Sequence, residues 1–393
     1  MKIKNLYFGD WFQRTQLHLS EIRDFLVAEP SPLKLDEIVL EKNRNALHIE
    51  NIHAHIGRLN SLRVNTEDGI EFHVYEDGLT LFKHANISDI KKSMSELAAF
   101  YNGPYSGAIS YLFSLGAPIP KELTNTEKNS LYFLVVEDAT DTDIKNLLKD
   151  YEDTHYYRKS LPGFDLYRGD NVYVINQKDI DDENLERFIA ELVFFREFRG
   201  QLHRYLNLHR VIWENISLVK ERGTMKGRDI KPFKTKIESY EKTINLIDTR
   251  INQMGVYIKT RAQIVKDTPE LLEATDKVFS FEHETLSDSL DYVKDIWSMT
   301  KNYVSSALEI FSSLQAKVLD SSVKNLTFIT TLGVGGTIYK LFKEDPSKLN
   351  SSGLLVFGGI ALITLILIYG LKYRHLNTNY KIKDIKIDKD ILK

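Results

Sequence analysis

The sequence contains no cysteine and only nine prolines among its 393 residues, and its formal net charge is just −3. The absence of cysteine excludes disulfides, zinc–thiolate sites and thiol catalysis. Neither a P-loop nor a Gly-x-Gly-x-x-Gly turn is present, which excludes the standard nucleotide motifs. We also find no Ser-His-Asp or paired-carboxylate arrangement, so we expect no enzymatic activity. Because the first residues lack a long apolar run, we expect no cleavable signal peptide.

Long apolar runs are confined to the C-terminal region. Residues 325–342 and 353–371 each have the ~17–25 residues that a helix needs to cross a bilayer, so we predict two transmembrane helices joined by an outer loop at 343–352. The second run has no ionisable side chain, whereas the first contains four threonines, three glycines and Lys340. That composition suits a helix with one face toward other helices or a water-filled path. A buried helical hairpin in a soluble protein is the alternative.

Charge is divided unevenly along the chain. Residues 317–393 hold 12 basic and six acidic residues, whereas the preceding part carries an acidic excess that gives no support to nucleic-acid binding. The tail at 372–393 has seven Lys or Arg against three Asp, and the positive-inside rule therefore predicts that both termini are cytoplasmic. We expect a multi-pass protein of a bacterial inner (cell) membrane.

The strongest periodicity precedes the first apolar run. Apolar residues recur at alternating spacings of four and three from Leu286 to Val318, which predicts a stalk helix over 268–324 that buries one stripe against partner helices. Thr268 and Pro269 suit the N-cap and the first helical position of that helix. Two similar stripes between 181 and 267, separated by the turn Gly223–Pro232, predict an antiparallel helical hairpin.

Residues 1–180 mix short β-branched and aromatic runs with turn residues. The candidate strands are Ile3–Phe8, Ala46–Ile56, Ile70–Tyr75, Leu79–Lys83, Ala108–Phe113, Leu131–Glu137, Phe164–Tyr167 and Val172–Ile175. Helices are predicted at Ser88–Tyr101, with Ser88 as the cap, and at Asp141–Tyr151. Strands interleaved with helices predict an α/β or α+β domain.

The order of these elements resembles the CorA family of divalent-cation channels: an α/β domain, a helical hairpin, a stalk continuous with the first span, a second span and a basic cytoplasmic tail. The clearest local similarity is Ser313–Thr327, which resembles the stretch that joins the stalk to the pore in that family. The resemblance implies a homo-oligomer in the lipid bilayer, with five subunits suggested, and Mg²⁺ or another divalent cation as the bound or permeant ion.

The Gly-Met-Asn filter of that family has no counterpart here, since the corresponding tripeptide is Tyr339-Lys340-Leu341. On this alignment the residues predicted to line the pore are Asn325, Thr330, Gly333 and Thr337, with Lys340 at the mouth. A ring of lysines would repel Mg²⁺, or alternatively Lys340 extends to the headgroups and leaves the lumen to Thr330, Gly333 and Thr337. Either arrangement disfavours selective magnesium uptake.

With these departures from the CorA pattern, the sequence resembles a divergent branch of CorA-like proteins associated with type III CRISPR systems. Membership of that branch implies a membrane effector of antiviral defence that is opened by a nucleotide second messenger, in known cases a conjugate of S-adenosylmethionine and AMP (SAM-AMP). Two alternatives are a constitutive transporter of divalent metal ions with an altered filter and a membrane-tethered oligomeric scaffold.

Two sets of residues are candidates for binding a ligand or a metal. Contacts to a nucleotide are predicted where basic and aromatic residues cluster, because guanidinium groups suit phosphate and rings suit adenine: Trp11, Arg14, His18, Tyr157, Arg158 and Lys159. A regulatory divalent-cation site is predicted at acidic residues near helix starts: Asp138, Asp141, Asp181 and Asp182. Chance clustering and ordinary solvated charges are the alternatives. His53 and His55, with His48 nearby, either bind a metal or an anion or are ordinary strand residues.

Overall fold

The computed structural model describes residues 1–11, 18–30, 34–85, 87–113, 131–151, 157–221, 223–279, 282–343, 362–363, 366–371, 373–374 and 376–382, with the backbone alone at 270, 282–283, 321–322 and 324–343. It is a mixed α/β structure with long helices, as the sequence predicts. The chain forms two compact units. The first comprises Met1–Leu208 and Leu246–Asp295, and the second comprises His209–Asn245 and Ile296–Lys393.

The described part of the first unit contains one nine-stranded sheet with the order β2-β3-β4-β5-β1-β6-β9-β8-β7. Its strands are β1 (Lys2–Trp11), β2 (Ile49–His55), β3 (Ser61–Thr66), β4 (Ile70–Tyr75), β5 (Leu79–Ala85), β6 (Tyr132–Glu137), β7 (Tyr157–Leu161), β8 (Phe164–Arg168) and β9 (Val172–Gln177). Neighbouring strands are antiparallel except for β6 and β9, which are parallel. The turns at Gly69 and Gly78 need φ values of 76° and 92°, which glycine adopts without strain.

Short helices pack against this sheet: α1 (Leu19–Leu26), α2 (Glu37–Asn45), α3 (Ile90–Phe100), α4 (Ser106–Leu112) and α5 (Asp141–Asp150), with a π-helical turn at Tyr101–Tyr105. Rings from the sheet and from α3, such as Phe72 and Phe100, meet in the core at 5.9 Å between centroids. The predicted cap Ser88 is wrong by one residue. The carboxylate of Asp89 caps α3 instead, because it accepts a hydrogen bond from the backbone N–H of Lys92 at 3.1 Å.

The predicted strand Ala108–Phe113 is also wrong, because this segment forms α4. Its buried residues, together with one from the preceding π-helical turn, are Tyr105, Ala108, Ile109 and Leu112. They recur at helical spacing and place their side chains in the core between the helices and the sheet. The three-to-four-residue spacing of the apolar residues therefore outweighs the local β propensity.

Four longer helices follow: α6 (Asp182–Glu221), α7 (Gly227–Lys266), α8 (Pro269–Phe279) and α9 (Glu282–Lys343). The apolar stripe of α9 is buried from Leu286 to Leu314. Where the sequence predicts one helix from 268 onward, the structure has α8 and α9, with residues 280–281 between them outside the described set. The end of α8 is anchored in the first unit by Phe279, whose ring stacks on that of Phe195 with 4.4 Å between centroids.

In the second unit, two short strands form an antiparallel ribbon. The strand β10 (Thr224–Lys226), between α6 and α7, pairs with β11 (Asn379–Lys381) near the end of the chain. Two backbone hydrogen bonds extend the ribbon, from Gly227 N–H to the Thr378 carbonyl at 3.0 Å and from Ile382 N–H to the Gly223 carbonyl at 2.8 Å. The C-terminal segment is thus tied to the turn of the helical hairpin.

Within the described residues, no helix has both the length and the apolar character needed to cross a membrane. The predicted pore-lining residues Asn325, Thr330, Gly333, Thr337 and Lys340 lie on α9, where the backbone alone is described. Most of the second predicted span, including 353–361, is outside the described residues. The membrane hairpin therefore stays a prediction.

Candidate functional site

A cavity of about 800 Å³ in the first unit gathers arginine and aromatic side chains, and we call it the arginine cavity. It lies between the β7–β8–β9 edge of the sheet, helix α6 and the end of α8. Its basic and aromatic lining consists of Arg168, Arg196, Arg199, Arg204, His203, Tyr157, Tyr173, Phe195 and Phe279. This combination suits a ligand that carries both negative charge and an aromatic ring.

One wall of the arginine cavity is a face of α6. Arg196, Arg199 and His203 follow one another at spacings of three and four residues, and Arg204 is adjacent to His203, so these four polar side chains project from one side of the helix. Gly200 lies between them on the same side and leaves open space beyond its Cα atom. The result is a row of cations with room in front of it.

The opposite wall is a row of three residues across the sheet edge. Tyr157 on β7, Arg168 on β8 and Tyr173 next to the start of β9 are direct cross-strand partners, so their side chains share one face. The guanidinium of Arg168 lies 5.5 Å from the centre of the Tyr173 ring, within the range of a cation–π contact. Burial raises the pKa of Tyr173 above its usual range.

The charge of the arginine cavity is positive overall. Among its described lining residues, four arginines face two carboxylates, Asp170 and Glu197. Glu197 lies 3.8 Å from Arg196, and Arg204 donates to the Gln201 side chain at 2.6 and 2.9 Å, so both arginines are held in position. Arginines fixed in this way can bind a phosphate with little loss of side-chain freedom.

The structure brings one of the six predicted ligand contacts into this cavity, namely Tyr157. Arg158 follows on the strand and therefore points to the other face, where it pairs with Asp141 and Asp165 at 2.8 and 2.9 Å. Lys159 donates to the carbonyl of Lys277. The remaining three are elsewhere or not described.

Trp11 is 2% exposed, and its indole N–H donates to the Asp77 carbonyl at 2.8 Å, so it serves the core and is closed to a ligand. His18 is the N-cap of α1, and its backbone N–H donates to Glu21 at 2.7 Å. Arg14 lies outside the described residues. The sequence-based prediction therefore missed the arginines of α6, although their positions on one helical face could be recognised from the sequence.

The four predicted metal ligands are placed apart from a common centre. Asp138 follows β6 with a φ of 53°, and Asp141 pairs with Arg158 and accepts from Tyr167 at 2.5 Å. Asp181 accepts from the Asn184 backbone at 2.8 Å, and Asp182 pairs with Lys4 at 2.6 Å. In the part of the chain that the structure describes, the one group with metal-ligand proximity consists of other residues, Glu71, His73 and Glu186.

In this Glu–His–Glu cluster the imidazole of His73 lies between two carboxylates. Its Nδ1 is 2.8 Å from Glu186 and its Nε2 is 3.2 Å from Glu71. Burial by itself lowers the pKa of His73, but the hydrogen bonds to Glu186 and Glu71 outweigh it and raise the pKa. Burial likewise opposes ionisation of Glu71, yet the His73 hydrogen bond and the Lys83 charge lower its pKa to about 2.

The cluster suits a divalent cation poorly, and the Nε–H of Arg63 contacts the Nε2 of His73. All its ligand atoms lie within 4.8 Å of one another, which is compact enough for a metal. However, Arg63 contacts Glu186 at 3.1 Å and Lys83 lies 3.7 Å from Glu71. A metal ion would have to displace the proton of His73 and remain beside these two cations, which repel it. The predicted divalent cation therefore finds no suitable site in this cluster.

A second cavity, of about 580 Å³, borders this cluster. His53 and His55 line it together with residues of both charges, including Arg187 and Asp267. His48 is separate and pairs with Asp68 at 3.0 Å. Since cations and carboxylates are interspersed on its walls, this cavity lacks the excess of one sign that the arginine cavity has.

A buried arginine joins the sheet to two long helices near this second cavity. Arg261 on α7 donates to Asp77 at 2.5 Å and to Glu191 on α6 at 2.7 Å. Its guanidinium also lies 4.5 Å from the centre of the Phe194 ring. The three charged side chains are at most 6% exposed, so each depends on the others for its countercharge.

Comparison with known proteins gives little further guidance. No protein-family model matches the chain, and neither does any curated protein. Among solved structures, the chain is similar to the CorA magnesium transporter from Methanocaldococcus jannaschii, at 11% identity over 65% of this chain and 93% of that one. The TM-score of 0.20 is too low for this likeness to bear on fold or function.

Proposed function

We propose that this chain is a CorA-like homo-oligomeric membrane ion channel without the Gly-Met-Asn filter, opened by an anionic nucleotide that binds in the arginine cavity. The nucleotide is a second messenger of type III CRISPR antiviral defence, SAM-AMP. The observation that supports ligand gating is the position of the cavity. Val278 and Phe279 line it, and they lie three to four residues before Glu282, where the 62-residue helix α9 begins.

In this proposal the ligand acts on the end of α8. A phosphate contacts the arginines of α6, and an aromatic ring contacts Tyr157, Tyr173 or the stacked pair Phe195–Phe279. A ligand that prefers one position of the α8 end over another shifts the population of α9 positions by its difference in affinity. A nearly complete switch, from 1:99 to 99:1, requires about 5.5 kcal/mol of such preference.

The test is ion flux through purified protein in liposomes, with K⁺ or Mg²⁺ gradients, in the absence and presence of SAM-AMP, AMP and ATP. We expect flux that depends on nucleotide. Because a charge-assisted hydrogen bond contributes about 1.5–3 kcal/mol, Arg199→Gln or Arg204→Gln should raise the half-maximal nucleotide concentration roughly 10–100-fold.

Arg210→Gln is the matched control, since Arg210 lies on the same helix and pairs with Glu214 at 3.8 Å away from the arginine cavity. It should leave the nucleotide response unchanged. Mg²⁺ flux without nucleotide would instead identify a constitutive transporter. Silence with every nucleotide would contradict the channel and leave a membrane-tethered scaffold.

A further inference from the structure

The second unit carries a concentrated basic surface at the turn of the helical hairpin. We define this basic face by four exposed side chains: Lys226 and Lys381 on the ribbon and Arg228 and Lys236 on α7. Lys226 and Lys381 are diagonal neighbours on one side of the ribbon, because Lys226 pairs with Asn379 and Thr224 pairs with Lys381. One carboxylate, that of Asp229, lies 3.6 Å from Arg228.

The basic face borders a cavity with an apolar wall. The cavity measures about 560 Å³, and its charged lining consists of Lys226, Arg228, Lys236 and one carboxylate, Asp229. Its apolar lining consists of Val219, Met225, Pro232 and Phe233. Cations beside apolar side chains match a molecule with an anionic head and a hydrocarbon body. A free phosphate or a nucleic-acid backbone would leave the apolar wall without a partner.

The ribbon also sets how far the basic face lies from the second predicted span. Its strand β11 starts at Asn379, eight residues after Leu371, where the second predicted span ends. The described residues 366–371, 373–374 and 376–377 are helical, and an ideal helix of eight residues is about 12 Å long. That distance is comparable to a headgroup layer of roughly 5–8 Å plus a Debye length of about 8 Å. The buried side chain of Ile382 and the ribbon hydrogen bonds hold the hairpin turn at this position.

We propose that the basic face binds the headgroups of anionic phospholipids at the cytoplasmic surface of the membrane. This proposal rests on the proposed function, because it takes the second apolar run to be a membrane span. It adds a lipid partner and a place for it. Anionic lipid holds the turn of the α6–α7 hairpin and the C-terminal strand against the surface through three or four cations. Each of these charges lies within the range of the negative surface potential of the leaflet.

The absence of native cysteine allows a direct measurement. Thr224→Cys, an exposed position on the basic face, is labelled with bimane in the full-length protein and reconstituted into vesicles that contain a lipid with a spin-labelled headgroup. We expect stronger quenching in vesicles with 30% phosphatidylglycerol than in pure phosphatidylcholine, and a loss of this difference at high salt. The combined change Lys226→Gln, Arg228→Gln and Lys236→Gln should weaken the response to phosphatidylglycerol roughly a hundredfold.

Three exposed lysines elsewhere on α7 provide a control with the same change of charge: Lys242→Gln, Lys259→Gln and Lys266→Gln. This control variant should keep the full response. Equal quenching in both vesicle types, equal effects of the two triple variants, or protection of the label by a short RNA in place of vesicles would overturn the proposal.

Flotation with pure phosphatidylcholine vesicles separates this proposal from the proposed function. Protein that fails to float has no membrane span, which contradicts the channel. The labelled protein can then still be titrated with phosphatidylglycerol vesicles added from outside. Binding that the basic-face variant loses and the control variant keeps would support the lipid site, and no binding would overturn it.

Discussion

Replacement of Arg261 by methionine should destabilise the first unit strongly. Methionine retains much of the aliphatic volume but removes the charge that Asp77 and Glu191 share. These carboxylates are 0% and 6% exposed, so water cannot replace the lost partner. Breaking a buried ion pair in this way costs about 3–5 kcal/mol. One remaining hydrogen bond, from Leu79 N–H to Asp77 at 3.1 Å, offsets only part of this loss.

The matched control is Arg187→Met on α6. Arg187 also forms an ion pair, with Glu183 at 2.6 Å, but the two side chains are 43% and 70% exposed. Such a pair contributes about 0–1 kcal/mol because water screens it and both side chains lose freedom. Both substitutions remove a guanidinium, but Arg261 bridges two carboxylates and contacts the Phe194 ring, whereas Arg187 pairs with Glu183 at the surface. The difference between them therefore measures the effect of the whole buried arrangement.

Urea unfolding of the full-length protein, followed by far-UV circular dichroism, gives the free energy of unfolding for each variant. We expect a difference of at least 2 kcal/mol between Arg261→Met and Arg187→Met, and a melting temperature lower by roughly 6–12 °C for a loss of 3 kcal/mol. Neutralising both carboxylates in the Arg261→Met background, with Asp77→Asn and Glu191→Gln, should recover at least 1 kcal/mol. Equal stabilities of the two single variants would refute the reasoning.

Two further predictions concern the sheet and its contacts. The free energy of unfolding of the wild-type protein should fall as the pH rises from about 6.5 through the raised pKa of His73, because protonated His73 is stabilised by its partners only in the folded state. His73→Gln should remove this fall in pH-dependent urea unfolding. A fall that persists in the variant would assign it to another group. Gly9→Ala should destabilise the protein by about 1–3 kcal/mol, since the new Cβ atom would lie 2.8 Å from a methyl group of Val193. Gly107→Ala on α4 meets open space and should be neutral or stabilising by up to about 1 kcal/mol. Thermal melts that rank the two variants in the opposite order would contradict the packing of β1 against α6.

The sequence predicts the long helices well because their signal is local. The stripe from Leu286 to Leu314 repeats for many turns, and each of its members is buried in the structure. The strand prediction for Ala108–Phe113 failed because six residues of mixed β-branched and aromatic character are compatible with both the strand and the helix period. Packing in the core favours the helix. Local pattern thus suffices for long elements and fails for short ones.

The candidate site was predictable only in part. Arg196, Arg199 and Arg204 of α6 are separated by three and five residues, with His203 four residues after Arg199, and could have been recognised as one helical face. The row Tyr157–Arg168–Tyr173 depends on the register of the antiparallel pairs β7–β8 and β8–β9, and residues 157–161 were not predicted to form a strand. Likewise, no local signal marks Arg261 as buried, since its two carboxylate partners are 70 and 184 residues away in sequence.

The ribbon of β10 and β11 has a consequence for the order of events during synthesis. The first strand leaves the ribosome roughly 150 residues before its partner. At a synthesis rate of about 5–20 residues per second, the hydrogen-bonding edge of β10 stays without its partner strand for on the order of 8–30 s. Chains interrupted before Asn379 would keep that edge open, where another strand can add to it. Pairing of the hairpin turn therefore depends on a strand that is translated long after β10.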